Sequence, residues 1–242
     1  MLQSPQSSPL CDAPGHAPGH PQNVRMPRLC VSALSGGGGK TLLSLGLTYA
    51  LAAQGLTVKA FKKGPDYIDA GWLGKAAGRP CYNLDPYLMA PQTIVTTFQS
   101  HLTDCAFAVV EGNRGLYDGV SVAGEYSTAE LALLLDLPVL LVVNCAKTTR
   151  TVAALVLGCQ AFEPRLHFAG VILNQIATAR HESIIRQAVE RYTDLPVLGV
   201  MSDAEPPRRA ADTAAFAGAI ALLLLTYGGV VTGGRIVTRF IA

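Results

Sequence analysis

The stretch 32-SALSGGGGKT-41 decides how the rest of the chain is read. A hydrophobic run, 29-LCVSAL-34, enters four consecutive glycines, Gly36, Gly37, Gly38 and Gly39, and these lead into Lys40, Thr41 and an apolar helical pattern. Strand, glycine loop, Lys-Thr and helix follow one another as in a phosphate-binding P-loop. The glycines let backbone N–H groups turn inward around phosphate oxygens, and the helix behind them points its positive end at the anion. Lys40 is placed to reach β- and γ-phosphates, and the Thr41 hydroxyl to ligate Mg²⁺. The strict pattern asks for glycine six residues before the lysine, where this chain has Leu34. Gly-Lys-Thr between a strand and a helix still separates this loop from an ordinary flexible turn. ATP and Mg²⁺ are the expected ligands.

Beyond the loop, 41-TLLSLGLTYALAAQ-54 reads as a first helix stopped by Gly55, and 56-LTVKAFK-62 as a second strand. Residues 63–89 carry Gly-Pro, several aromatics and three aspartates with little strand periodicity. They read as one long connection, and connections of that length are usually functional. A helix near 91–102 leads to the buried strand 106-AFAVVEG-112 and the loop 113-NRGLYDGVSVAGEYS-127. Ser127 and Glu130 have the spacing of a capping box for the next helix, STAELALLLD. Strands 138-PVLLVVN-144, 169-AGVILN-174 and 196-PVLGV-200 then alternate with helices over 149–162 and 179–192.

Apolar strands alternating with helices predict an α/β fold of the P-loop NTPase type, a mostly parallel sheet with helices on both faces. Ligands of such folds bind outside the carboxyl ends of the strands. The glycine loop, KKGPDYID, Glu111, Asn144 and Asn174 all fall at such ends.

Composition narrows the function classes. Of 242 residues, 50% are hydrophobic and 15% charged, which is a globular balance rather than a disordered one. A net charge of +2, with no Lys/Arg-rich tract, gives no footprint for nucleic acid. The six cysteines form no CxxC pair and no metal-ligand cluster, and several sit in apolar runs, as reduced cysteines of a cytoplasmic protein do. No basic region followed by an apolar run marks a signal peptide. Residues 1–27, rich in Pro, Gly, Ser and His, read as a disordered tail; 28–202 read as the nucleotide-binding domain and 203–242 as an atypical tail. Residues 213–234 carry no charge and have the length of a membrane helix, but two Gly-Gly pairs and a Pro-rich lead argue against one.

Glu111 closes a hydrophobic strand, where a carboxylate approaches the Mg²⁺ held by a P-loop threonine. Asp66, Asp69 and Asp118 lie in loops on the same rim, either as site residues or as turn formers. Lys62 and Lys63 end the second strand, either to neutralise phosphate or carboxylate or as a surface pair. No Ser/His/Asp or Cys/His arrangement stands out. The chemistry that fits is phosphoryl transfer, which needs positioning and charge neutralisation more than a nucleophile.

The motifs FKKGPDYIDAGW, GRPCYNLDPYLM, EGNRGLYDG and STAELALLLDLPVLLVVN, in this order, resemble the N-terminal synthetase domain of cobyrinic acid a,c-diamide synthases, which is related to dethiobiotin synthetase. The resemblance spans about residues 28–201. It implies ATP-dependent amidation of the a and c side chains of a corrin precursor in cobalamin synthesis, through an acyl phosphate displaced by ammonia. By motif match, Asp66, Asp69 and Asp118 would position the corrin carboxylate and the metal, with Thr41, Asp66 and Glu111 binding Mg²⁺. Asn174 of ILNQ resembles the asparagine that reads the nucleotide base. The family continues into a glutaminase domain with catalytic Cys, His and Glu. This chain has no Cys after Cys159 and no His after His181, so ammonia is expected either free or from a separate glutaminase. A homodimer is the expectation from the relatives. Other readings are a non-catalytic ATP-binding remnant, a cobyric acid or dethiobiotin synthetase, and a partition-type ATPase. The last uses KGGxGKT, and its extra lysine is missing from LSGGGGKT.

Overall fold

A computed structural model describes residues 26–202. The readings of the N-terminal tail up to residue 25, and of the uncharged run 213–234, fall outside the described residues. Seven strands form one sheet in the order β3-β2-β4-β1-β5-β6-β7. These are β1 (Arg28–Ala33), β2 (Val58–Lys63), β3 (Tyr82–Leu84), β4 (Phe107–Glu111), β5 (Val139–Asn144), β6 (Phe168–Ile176) and β7 (Val197–Ser202). Every pairing is parallel. Central strands read as continuous apolar runs because both their faces are covered: β4 is buried throughout, as is β5 up to Val143.

The two faces have separate cores. Helices α1 (Lys40–Ala53) and α2 (Tyr67–Ala77) cover one face. On it α1 packs Leu43, Leu47 and Leu51 against Val31, Val109 and Leu140, while Leu73 and Ala77 of α2 pack on Ala60. The other face carries α3 (Pro91–Ser100), α4 (Thr128–Leu134), α5 (Thr151–Phe162) and α6 (Ala179–Thr193), whose Phe98, Leu131, Val156 and Ile185 join Phe61, Val110, Val143 and Leu173. Burying side chains of this size contributes roughly 1.5–3 kcal/mol each before chain entropy is subtracted.

Residues 63–89 differ from the sequence expectation. Rather than one irregular connection they hold α2 and the three-residue edge strand β3. Asp66 starts α2 by accepting the N–H groups of Ile68 and Asp69 at 2.9 and 3.1 Å, and Gly78, in the left-handed region at φ 63°, ends it. The capping box at α4 is also modified. Ser127 accepts the Glu130 N–H at 3.3 Å, but the Glu130 carboxylate reaches back to the Tyr126 N–H rather than to that of Ser127.

Candidate active site

The loop between β1 and α1 is shaped by its glycines. Gly37 and Gly39 have φ of 70° and 100°, which a side chain would strain, and a Cβ on Gly38 would stand 2.8 Å from that of Ala33. Helix α1 begins at Lys40 behind Gly39, with no side-chain cap and no acidic residue in its first turn. Its first N–H groups are therefore open to an anion. The Lys40 ammonium donates to the carbonyls of Ser35 (2.9 Å) and Arg114 (2.6 Å). Burial pushes its pKa down; the neighbouring Lys62 adds to this, while Glu111, Asp118 and Asp69 oppose it.

A charge cluster lies beside Lys40. In the sheet, Lys62 stands opposite Glu111, which in turn neighbours Val31 of β1. Glu111 is 0% exposed and Lys62 2%. The Lys62 ammonium donates to Glu111 Oε1 at 2.8 Å, sits 3.1 Å from Asp69 Oδ2, and reaches the Gly112 carbonyl at 3.2 Å. Burial acts to lower its pKa, but Glu111 and Asp69 outweigh that and hold it above the usual lysine value. The Thr41 hydroxyl donates to Glu111 Oε1 at 2.8 Å, with Asp69 Oδ2 at 3.4 Å. The sheet thus brings Thr41, Lys62, Asp69 and Glu111 into one group.

The other expected site residues are placed as follows. Asp66 caps α2 through Oδ1. Asp118, exposed, folds its own loop by accepting the Gly115 N–H at 2.8 Å. Asn174 donates from Nδ2 to the Gly38 carbonyl at 3.0 Å and accepts the Gln175 N–H, so it lies against the glycine loop. Asn144 is exposed and turns its side chain onto the Ala146 N–H.

The donor set suits Mg²⁺. Glu111 Oε2 is buried without a hydrogen-bond partner, an orphaned acceptor beside the Thr41 hydroxyl and within the Asp69 cluster. Among the described residues no group of three His, Cys, Asp or Glu side chains could hold a metal. Two carboxylates and a hydroxyl, all hard oxygens, are what Mg²⁺ takes when substrate phosphates and water complete its shell. Thiol chemistry has no support here: burial raises the thiols of Cys30 and Cys81 to about 12, so both stay protonated.

Residues 29–214 match the CbiA family, described as the CobQ/CobB/MinD/ParA nucleotide binding domain. The chain belongs to this family. Within it, the chain is 47% identical over 177 residues to a cobyrinate a,c-diamide synthase of Magnetococcus marinus, covering 73% of this chain and 38% of the relative. It is equally 47% identical over 182 residues to a hydrogenobyrinate a,c-diamide synthase of Streptomyces coelicolor, covering 75% and 37%. The chain thus spans under two-fifths of the length of these relatives. Among solved structures it resembles chloroplast FtsY from Physcomitrella patens, with a TM-score of 0.54 at 15% identity, covering 82% of this chain and 66% of that one. It also resembles HypB from Helicobacter pylori in complex with nickel, with a TM-score of 0.53 at 12% identity, covering 86% and 92%. Those two likenesses concern the fold alone.

In this CbiA-family domain, several contacts had no signal in the sequence. The Arg114 carbonyl reaches Lys40 only because Arg114 adopts a left-handed φ of 53°. The same loop is fastened to β1 through the Leu116 N–H and the Ala33 carbonyl at 2.8 Å. Asn83 of β3 donates to the carbonyls of Gly64 (2.6 Å) and Asp66 (3.0 Å), fixing the turn that carries Asp66 and Asp69. Glycine is required at position 112, where a Cβ would lie 2.6 Å from Thr128 Cγ2. Only the Glu-Gly pair could have flagged this last feature.

Proposed function

We propose that this domain activates a substrate carboxylate with ATP for amidation, as the a,c-diamide synthases it resembles do on cobyrinate. The observation that carries the reading is the joining of an uncapped α1 N-terminus to the Thr41–Glu111–Asp69–Lys62 cluster, in which Glu111 and Lys62 are buried. The P-loop N–H groups and Lys40 would take the β- and γ-phosphates, with Lys40 exchanging its carbonyl partners for phosphate oxygens. Thr41, Glu111 and either Asp69 or Asp66 would hold Mg²⁺, which when bound neutralises charge on the phosphates.

A carboxylate is a poor electrophile until one of its oxygens becomes a good leaving group. In this reading a substrate carboxylate oxygen attacks the γ-phosphorus; the new O–P bond forms as the bond to the β,γ-bridging oxygen breaks, and ADP leaves. Ammonia then attacks the acyl carbon, a C–N bond forms, and phosphate departs with the former carboxylate oxygen. Lys40 offsets the repulsion between two meeting anions, and Lys62, held between Glu111 and Asp69, keeps that carboxylate pair in place beside it. Asp118 and Asp66 serve the substrate through the loops they shape.

The test is an amidation assay with Mg·ATP and cobyrinic acid, supplied in parallel with ammonium chloride or glutamine, and followed by mass spectrometry and ADP release. Diamide with ammonium and not with glutamine is the expected result. Nucleotide binding without product from either nitrogen source would refute the reading and leave an ATP-binding remnant. Product from glutamine alone would refute the expected ammonia source.

A further inference from the structure

Lys63, the last residue of β2, is 8% exposed. Among the described residues it makes no hydrogen bond and no ion pair within 4.0 Å. Its ammonium is nevertheless not sealed from solvent, since it is absent from the fully buried polar atoms that lack partners. Side chains alternate across a strand. Lys62 turns towards α1 and α2, where Glu111 and Asp69 neutralise it, so Lys63 lies on the opposite face, that of Phe61 and of its sheet neighbour Leu84.

Burial, more than neighbouring charge, works against the charge on Lys63. Asp85 favours its charged form, from beyond ion-pair distance, while its Oδ1 accepts the Tyr87 N–H at 2.9 Å. Burial pushes its pKa down, and Arg114 and Lys62 add to this, so that it lies below the usual lysine value. The Arg114 guanidinium is exposed and likewise makes no ion pair among the described residues. A lysine nine-tenths buried, with no side-chain hydrogen bond and no ion pair within 4.0 Å, and with only the longer-range charge of Asp85 to favour it, is a cation that an incoming anion would pair.

We propose that Lys63 is the seat for a second carboxylate of the substrate, one that is not being activated and that positions the reacting one. This rests on the amidation reading above. Nucleotide phosphate is the wrong occupant, because Thr41 at the start of α1 is grouped through Glu111 with Lys62, whose side chain leaves β2 on the face opposite Lys63. A polycarboxylate is the right one: a substrate amidated at two positions carries at least two acid groups, and while one is activated another is available to Lys63. Lys63 is therefore a positioning residue and takes no part in bond making.

Isothermal titration of the wild type, Lys63→Met and Lys63→Arg, each with cobyrinic acid and separately with Mg·ATP, tests the assignment. Lys63→Met is expected to lose about tenfold or more in cobyrinic acid affinity while nucleotide affinity stays within about twofold. Lys63→Arg should restore most of the loss. The fully esterified corrin, which has no carboxylates, should bind Lys63→Met and the wild type alike. Methionine keeps an unbranched apolar stem without the charge, and circular dichroism of each variant reports folding. Unchanged cobyrinic acid affinity in Lys63→Met, with normal binding by the wild type, overturns the seat and leaves the amidation reading standing. An equal loss of nucleotide affinity overturns it by placing Lys63 among the phosphate ligands. Failure of the wild type to bind cobyrinic acid at all brings down both.

Discussion

Glu111 illustrates how one side chain can be costly and indispensable together. It is fully buried and shares Oε1 between Thr41 and Lys62, while Oε2 has no partner. Removing its charge leaves Lys62 with Asp69 as its remaining counter-ion. Glu111→Gln should therefore lower stability by about 3 kcal/mol and abolish Mg²⁺-dependent ATP turnover, read by urea denaturation and ADP release. Lys40→Ala should reduce turnover by about 10²-fold or more with little effect on the denaturation midpoint, since its partners are two surface-loop carbonyls. Lys62 carries a pH signature. Burial works against its charge, but Glu111 and Asp69 raise its folded pKa above the unfolded value of 10.5. Its contribution is thus fully present below pH 10.5 and is lost as pH rises through the folded value. Thermal melts between pH 9 and 12 should show this alkaline loss in the wild type and a flatter limb in Lys62→Met.

Among the elements, α2 separates two roles of one aspartate. Asp66 caps the helix through Oδ1, and the cap holds Asp69 against Thr41 and Lys62. Asp66→Ala should cost about 1 kcal/mol, while Asp66→Asn keeps a capping oxygen and should leave the denaturation midpoint unchanged. If Asp66 also serves the metal or the substrate, Asp66→Asn loses turnover at full stability; unaltered turnover confines Asp66 to capping. The same region shows what the sequence could not convey. Strands β1, β4, β5 and β6 were legible because burial on both faces writes them as apolar runs, and β2 and β7 from shorter apolar stretches. Helix α2 was not, since it buries only Ala70, Leu73 and Ala77 and carries Gly71 and Gly74 within it. Strand β3, at three residues, is too short to show a period. The site divides in the same way. Lys40, Thr41 and Glu111 follow from spacing along the chain. The grouping of Lys62 with Glu111, and the isolation of Lys63, depend on the β2–β4 register, which no local pattern encodes.

At the scale of the whole molecule, the described residues contain an apolar core on each face of a seven-stranded sheet. Residues 26–202 should accordingly fold and bind nucleotide without the flanking segments. Calorimetry of that fragment should show one cooperative transition, raised by Mg·ATP; at a hundred times the dissociation constant the gain is about 2.7 kcal/mol. EDTA should remove most of it if Thr41 and Glu111 hold the metal. A scan unmoved by Mg·ATP would contradict the nucleotide site itself. No helix among the described residues is long and apolar enough to cross a membrane. The brevity of β3 has one more consequence. An incoming strand at that edge would find a three-residue ladder, with the Tyr82 ring already stacked on His101 at 3.6 Å between centroids. Sheet extension from that side into a neighbouring copy is therefore closed off, and self-association there would have to run through helices or loops.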